Sequence, residues 1–275
     1  MVMPDILHAL LFVPANRPER FAKAAASHPD AVILDLEDAV AAVDKETART
    51  LLARDFTDLP VIVRINPVGT PWHAADLQAV AALRPDAVLL PKSENPAQVA
   101  AVANKLGDIA LLGLIETARG LADARAIATL DGVQRLVFGS VDFCADLGMS
   151  LDRDLLLPAR FELVLASRLA GIGAPIDGVT TRLDDPTAAT GDASHARALG
   201  MAGKLCIHPR QVADVKSAFA PSEVEIAWAT RVLASGDGAV SLDGEMIDAP
   251  VRARARSILA AMKPLFEEQQ KENRI

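Results

Sequence analysis

The chain has 275 residues, of which 51% are apolar and 23% charged, with a formal net charge of −8. That length and composition can bury a sizeable core, as one large domain or two small ones. The acidic balance, with no long basic run, makes nucleic acid and anionic membranes poor partners.

In chain order, an apolar run over 10–14 predicts a first strand, and Pro18 opens a short Ala-rich helix over 19–27. A second strand covers 31–38 and ends in Asp35, Glu37 and Asp38; a helix follows over about 44–54. The third strand, 60–67, carries Arg64 and Asn66, and a helix over 76–83 leads to the fourth, 86–92, which ends in Lys92. Pro96 starts a helix that runs to about 106. The fifth strand, 109–116, is an unbroken apolar run that stops at Glu116, as a strand buried on both faces would. A helix over about 120–130 precedes the sixth strand, 135–142, which ends in Asp142. An acidic loop with Gly148, a helix near 158–170, a strand over 175–180, a helix over 185–199 and a strand over 203–209 complete the alternation.

Eight strand–helix units in about 210 residues predict an α/β fold, a closed (β/α)8 TIM barrel over 1–220. An open doubly wound sheet is the rival, weakened because no strand is followed by the G-x-G-x-x-G phosphate turn. Residues 221–275 read as a C-terminal helical extension: a helix over 221–235, a Gly/Asp-rich loop over 236–250, and a helix over 251–268. With no Tyr and 4% aromatics, the core must be aliphatic and Ala-rich. Cys144 and Cys206 fall in apolar surroundings, as buried free thiols rather than a disulfide. The N-terminal stretch has no positive segment leading into a long apolar run, so the expected compartment is the cytoplasm.

In a barrel of this kind the active site lies at the C-terminal strand ends. Arg17, Asp35, Glu37, Asp38, Arg64, Asn66, Lys92, Glu116, Asp142, Thr180 and His208 all fall there. A carboxylate at the end of a buried strand is costly unless something pairs with it. Glu116 and Asp142 therefore read as two protein ligands of one divalent cation, and hard oxygen donors favour Mg2+ or Mn2+ over Zn2+. The alternative is a structural ion pair between Glu116 and Arg64. Arg64 has the forked geometry to bind a carboxylate or enolate. Glu37 and Asp38 would orient metal-bound water or position Arg64, and at least one of the three acids after strand two should turn away to cap the next helix. His208, before Pro209, reads as a hydrogen-bonded strand-end residue rather than a base; Lys92 is a candidate Schiff-base lysine, though nothing distinctive surrounds it.

Seven segments occur in one family's order: Leu11-Phe-Val-Pro-Ala-Asn-Arg-Pro-Glu-Arg, Asp35-Leu-Glu-Asp-Ala-Val, Val63-Arg-Ile-Asn, Leu90-Pro-Lys, Leu114-Ile-Glu-Thr-Ala-Arg-Gly, Phe138-Gly-Ser-Val-Asp-Phe and Lys204-Leu-Cys-Ile-His-Pro-Arg-Gln. The chain resembles the citrate lyase β-subunit-like proteins of the HpcH/HpaI aldolase superfamily. The resemblance implies a TIM barrel, usually trimeric, with Mg2+ on Glu116 and Asp142. Arg64 then binds substrate and stabilises the enolate, Gly139 and Ser140 join the substrate site, and Arg17 meets the phosphate end of a thioester. Asp243-Gly-Glu-Met-Ile-Asp248-Ala-Pro is similar to the lid motif of malyl-CoA lyase and malate synthase-like relatives, which makes Asp248 an acid/base reaching a neighbouring subunit; the plainer reading is a helix N-cap. The implied reaction is carbon–carbon cleavage of a citryl-, malyl- or citramalyl-CoA type thioester to a 2-keto acid. The alternatives are a malate or citramalate synthase with thioester hydrolysis, an HpaI-type free-acid aldolase, or a citrate lyase subunit that needs an acyl-carrier protein.

Overall fold

Short aliphatic segments rich in Val, Ile and Leu, each followed by one or two helices, set the architecture. The structure is a computed structural model and describes residues 3–4, 6–185, 187–236, 238–242 and 244–261. The chain divides into two compact units, Met1–Phe219 and Ala220–Ile275.

In the first unit the strands are β1 (Ala9–Pro14), β2 (Ala31–Asp35), β3 (Val61–Arg64), β4 (Ala87–Leu90), β5 (Ala110–Ile115), β6 (Val133–Phe138), β7 (Gly173–Asp177) and β8 (Gly203–Cys206). The helices are α1 (Phe21–Ala25), α2 (Lys45–Thr50), α3 (His73–Leu83), α4 (Pro96–Leu106), α5 (Ala118–Ala128), α6 (Ser140–Leu147), α7 (Leu157–Ala170), α8 (Ala188–Ala198) and α9 (Arg210–Phe219). Neighbouring strands pair in parallel, and β8 closes on β1, giving a TIM barrel. Alternation of side chains divides the core in two. Leu10, Ile33, Ile62, Leu89, Leu112, Leu114 and Val137 fill the barrel interior. Leu11, Val32, Leu34, Val63, Val88 and Leu111 face the helices, packing with residues such as Val102, Ile127 and Leu163. The same alternation assigns the strand-end residues. Asp35 follows Ala31 and Ile33 on the inner face, Arg64 follows Ile62, and Glu116 follows Leu112 and Leu114.

Helix boundaries follow local chemistry. Asn95 caps α4 with Pro96 at its first position, and Thr117 caps α5 by accepting a hydrogen bond from Gly120 N. Gly171 ends α7 at φ 72°, a conformation only glycine adopts cheaply.

The sixth strand is shorter than the sequence pattern predicts. It ends at Phe138, and Asp142 lies in the first turn of α6, not at a strand end. Val141 and Phe143 alternate as strand residues would, but Val141 is exposed, whereas Phe143 and Cys144 are buried together as neighbours on one helix face. The predicted acidic loop is therefore preceded by two turns of helix. The strands predicted over 31–38, 60–67 and 203–209 also stop earlier, at Asp35, Arg64 and Cys206. Their polar residues beyond those points stand on loops. Cys144 and Cys206 are buried free thiols.

The second unit holds α10 (Glu223–Ala234), β9 (Val240–Leu242), β10 (Glu245–Ile247) and α11 (Ala249–Ala260). The expected Gly/Asp-rich loop contains an antiparallel hairpin, β9–β10. Gly244, between the strands, has φ 85°, a conformation that glycine supplies to such turns. Ala229, Val232, Ile247, Ala255 and Ile258 form its core. Asp243 of the lid motif, and the part of the last predicted helix beyond 261, lie outside the described residues. Among the described residues no helix is long and apolar enough to cross a membrane.

Candidate functional site

Asp35 and Arg64 are direct partners across the β2–β3 pair. Their side chains meet as a fork: Arg64 Nε donates to Asp35 Oδ1 at 2.7 Å and Nη2 to Oδ2 at 2.6 Å. Nη1 donates to Asp38 Oδ2 at 3.2 Å and lies 2.8 Å from Glu37 Oε2, though without hydrogen-bond geometry. The guanidinium also stacks over Phe12, 4.8 Å from the ring centroid. Arg64 is thus a rigid, buried cation whose plane is fixed before any ligand arrives. Burial works against its charge, but Asp35 and its neighbours outweigh that and raise its pKa. Asp35 also accepts from Glu37 N and Ala39 N, so it both clamps Arg64 and shapes the loop that carries Glu37 and Asp38. None of the three acids caps the next helix, since α2 starts without a side-chain cap. Lys45, buried under this loop, donates to Leu36 O and Glu37 O.

Glu116 follows β5 and is 2% exposed. The expected alternative, a Glu116–Arg64 ion pair, is not among the contacts of either residue in the described chain; Arg64 is taken by the three acids after β2. Glu116 instead accepts from Lys92 N at 2.8 Å through Oε1, with Lys92 Nζ 3.8 Å from the same oxygen. Its other oxygen, Oε2, lies over Gly139. A Cβ at Gly139 would collide with Glu116 Cβ and stand 2.7 Å from Oε2, so only glycine leaves this carboxylate its room. Gly139 leads into α6, whose first turn bears Asp142.

Burial pushes the Glu116 carboxyl up to about 7, and Asp142 adds to the rise against the pull of Lys92 and Arg64. Burial likewise pushes Glu37 up to about 8; Arg64 offsets it only in part, while Asp38, Glu116 and Asp35 reinforce the rise. These acids therefore act on one another across the mouth, and the cluster is short of positive charge. The donor set fits a hard divalent cation: a buried carboxylate with one oxygen facing the α6 turn, and a second carboxylate on that turn. Among the described residues no group of three or more His, Cys, Asp or Glu converges on one point.

The other predicted residues scatter. Arg17 is exposed and paired with Glu19 at 2.6 Å. Arg20, Lys23, His208 and Arg210 instead line a groove of about 620 Å3 between the ends of β1 and β8. No signal in the sequence ranked these four above Arg17, because the groove joins segments nearly two hundred residues apart. His208 Nδ1 accepts from Arg210 N, as a strand-end residue would. Asn66 is buried on Asp76 and Leu36 O, and Thr180 donates to Asp192. Ser140 is buried at the start of α6 against Gly178. Asp248 caps α11, its Oδ1 accepting from Val251 N at 3.3 Å.

Comparison with known proteins identifies the family. A family model described as HpcH/HpaI aldolase/citrate lyase matches residues 8–209. A citrate lyase subunit beta-like protein of Deinococcus radiodurans is 39% identical over 94% of this chain and 98% of its own. A (3S)-malyl-CoA thioesterase of Cereibacter sphaeroides is 34% identical over 92% and 93%. The crystal structure of the protein CitE from Mycobacterium tuberculosis, in complex with magnesium, acetoacetate and coenzyme A, superposes with a TM-score of 0.84 at 40% identity, covering 93% of this chain and 98% of that one. On the matched span and these relatives, the chain belongs to the HpcH/HpaI aldolase/citrate lyase family.

Proposed function

We propose that this protein is a Mg2+-dependent carbon–carbon lyase that cleaves a 3-hydroxyacyl thioester of coenzyme A to a 2-keto acid and a shorter acyl thioester. The observation that carries this reading is the Glu116 carboxylate, buried at the barrel mouth with one oxygen held by Lys92 and the other turned toward the helix of Asp142. The citrate lyase-like relatives, and the magnesium and coenzyme A bound by the M. tuberculosis protein, support it.

In this reading Glu116 and Asp142 hold Mg2+, with Mn2+ as a substitute. Bound there, the cation supplies Lewis-acid polarisation and neutralises charge on a chelating keto acid. Arg64, locked by Asp35, donates to the enolate oxygen as the C–C bond breaks and its electron pair moves into the thioester. Gly139 and Ser140 seat the substrate's keto-acid end at the N-terminus of α6. The cleavage needs a base for the hydroxyl proton and an acid for the enolate carbon. Asp248, contributed by a neighbouring protomer of a homotrimer, is assigned that role. The phosphates of the thioester fit the groove of Arg20, Lys23 and Arg210. The compartment in this reading is the cytoplasm.

The test is release of 2-keto acid from citryl-, malyl- and citramalyl-CoA, with free CoA followed in the same reaction. Turnover lost with EDTA and in Glu116→Ala supports the reading. Turnover retained in that variant overturns it. Free CoA appearing with a hydroxydiacid selects the synthase–thioesterase instead. Silence with metal binding intact moves the substrate to an acyl-carrier protein or a free acid.

A further inference from the structure

Three non-glycine residues with positive φ occur in the described chain: His28, Arg84 and Lys92. Two have a local reason. Arg84 closes the C-terminus of α3, its N–H bonding Val80 O, and His28 closes the turn after α1, its N–H bonding Ala25 O. Lys92 ends no helix. It follows β4 at φ 48°, a conformation that glycine adopts far more readily. A lysine held there needs a reason in its contacts.

Those contacts converge on one atom. The left-handed turn aims the Lys92 N–H at Glu116 Oε1, 2.8 Å away, and the side chain returns its ammonium to 3.8 Å from the same oxygen. Oε2 is left over Gly139, on the side of α6. The Lys92 side chain is 44% exposed, so it is anchored by charge rather than by packing. Burial works against its protonated form, but Glu116, Glu37, Asp142 and Asp38 outweigh that and raise its pKa.

We infer that Lys92 is a positioning residue of the metal site: it holds Oε1 of Glu116 so that Oε2 is the oxygen offered to the metal, and its ammonium is the counter-cation with which an incoming divalent ion competes. This rests on the metal reading of Glu116 and Asp142. The acid-rich mouth of the metal-free protein is then partly neutralised by its own lysine. The main-chain N–H keeps its grip on Oε1 whether or not the ammonium stays. Lys92 thereby lowers the affinity for the metal while orienting its ligand.

The experiment is calorimetric titration of Mg2+, and separately Mn2+, into the full-length protein without substrate, for wild type, Lys92→Met, Lys92→Gly and Lys92→Arg. Removing one positive charge beside a dication in a partly buried site tightens binding by about tenfold. Met and Gly should both show this, and Gly also keeps the left-handed turn without strain. Arg, which keeps the charge, should stay near wild type. Without metal, Met and Gly should melt at a lower temperature than wild type; saturating Mg2+ should abolish that difference, which a merely structural lysine would not produce. Equal or weaker metal affinity in both Met and Gly overturns the inference. A wild-type protein that binds neither ion overturns the metal reading itself, a different result from wild-type binding with unchanged variants.

Discussion

Two clusters of buried charge sit on opposite faces of the same barrel wall, and they are built on opposite rules. On the helix side of β7 and β8, Asp177 lies between two cations. Arg160 Nε donates to Oδ1 at 2.8 Å, and Lys204 Nζ donates to Oδ2 at 3.2 Å and to Gly178 O. Burial alone would raise the Asp177 pKa, but Lys204 and Arg160 outweigh it and hold the carboxyl below the usual range. At the mouth, Asp35, Glu37, Asp38, Glu116 and Asp142 share Arg64, Lys45 and Lys92. There burial wins, and Glu37 and Glu116 are pushed up. A structural ion cluster supplies its own counter-charge. One that leaves acids short of it has room for a cation from outside.

The comparison can be broken by removing one acid from each cluster. Glu116→Ala or Asp142→Ala is expected to reduce both Mg2+ binding and turnover to the detection limit while the fold persists, read by calorimetry, keto-acid release and circular dichroism. Asp177→Asn should do the reverse: it strands two buried cations and costs about 3–5 kcal/mol of stability in denaturant unfolding, yet leaves the Mg2+ dissociation constant unchanged. A smaller effect is expected at Arg64. Arg64→Lys keeps the charge but loses the fork on Asp35. It should lower kcat by about 10²–10³-fold, the scale of a lost enolate donor, with metal affinity near wild type. A large fall in metal affinity there would mean that Arg64 supports the site structurally instead.

The difference between the clusters was only half legible in the sequence. Acids ending apolar runs stand out, which is how Glu116 and the group after β2 announce the mouth. Asp177 ends such a run as well, but Arg160 is its partner from near the start of α7, and nothing local distinguishes that arginine from an exposed one. The barrel is readable because each strand repeats the same pattern of burial. Strand ends are less so: Gly139-Ser-Val-Asp-Phe alternates like a strand, and only packing shows that Val141 faces out and Asp142 rides on α6. Asp35 illustrates the remaining limit. Its placement as the fork for Arg64 depends on the β2–β3 register, which aligns the two residues and which no single segment encodes.

The subtlest expected effect is on the pH dependence of stability, where the two clusters should supply opposite arms. Glu116 and Glu37 are raised from the ordinary 4.5 to about 7 and about 8 in the folded chain. The folded protein therefore keeps protons that the unfolded chain has already released, and this contribution is lost as pH rises through 7 and 8. Asp177 is depressed, so its contribution is present above the ordinary carboxylate value of 3.8 and is lost as pH falls below it. Metal-free protein should thus melt at its highest temperature in mildly acidic buffer and decline on both sides. Saturating Mg2+ should flatten the alkaline arm alone, because the cation takes the place of the proton on Glu116. The Mg2+ affinity itself should rise by up to about tenfold per pH unit below 7 and level off above it. Glu116→Gln should shrink the alkaline arm and abolish its response to Mg2+, while Asp177→Asn should remove the acid arm and leave that response intact. An alkaline arm indifferent to Mg2+ in the wild type would show that the cation does not take the place of the proton on Glu116.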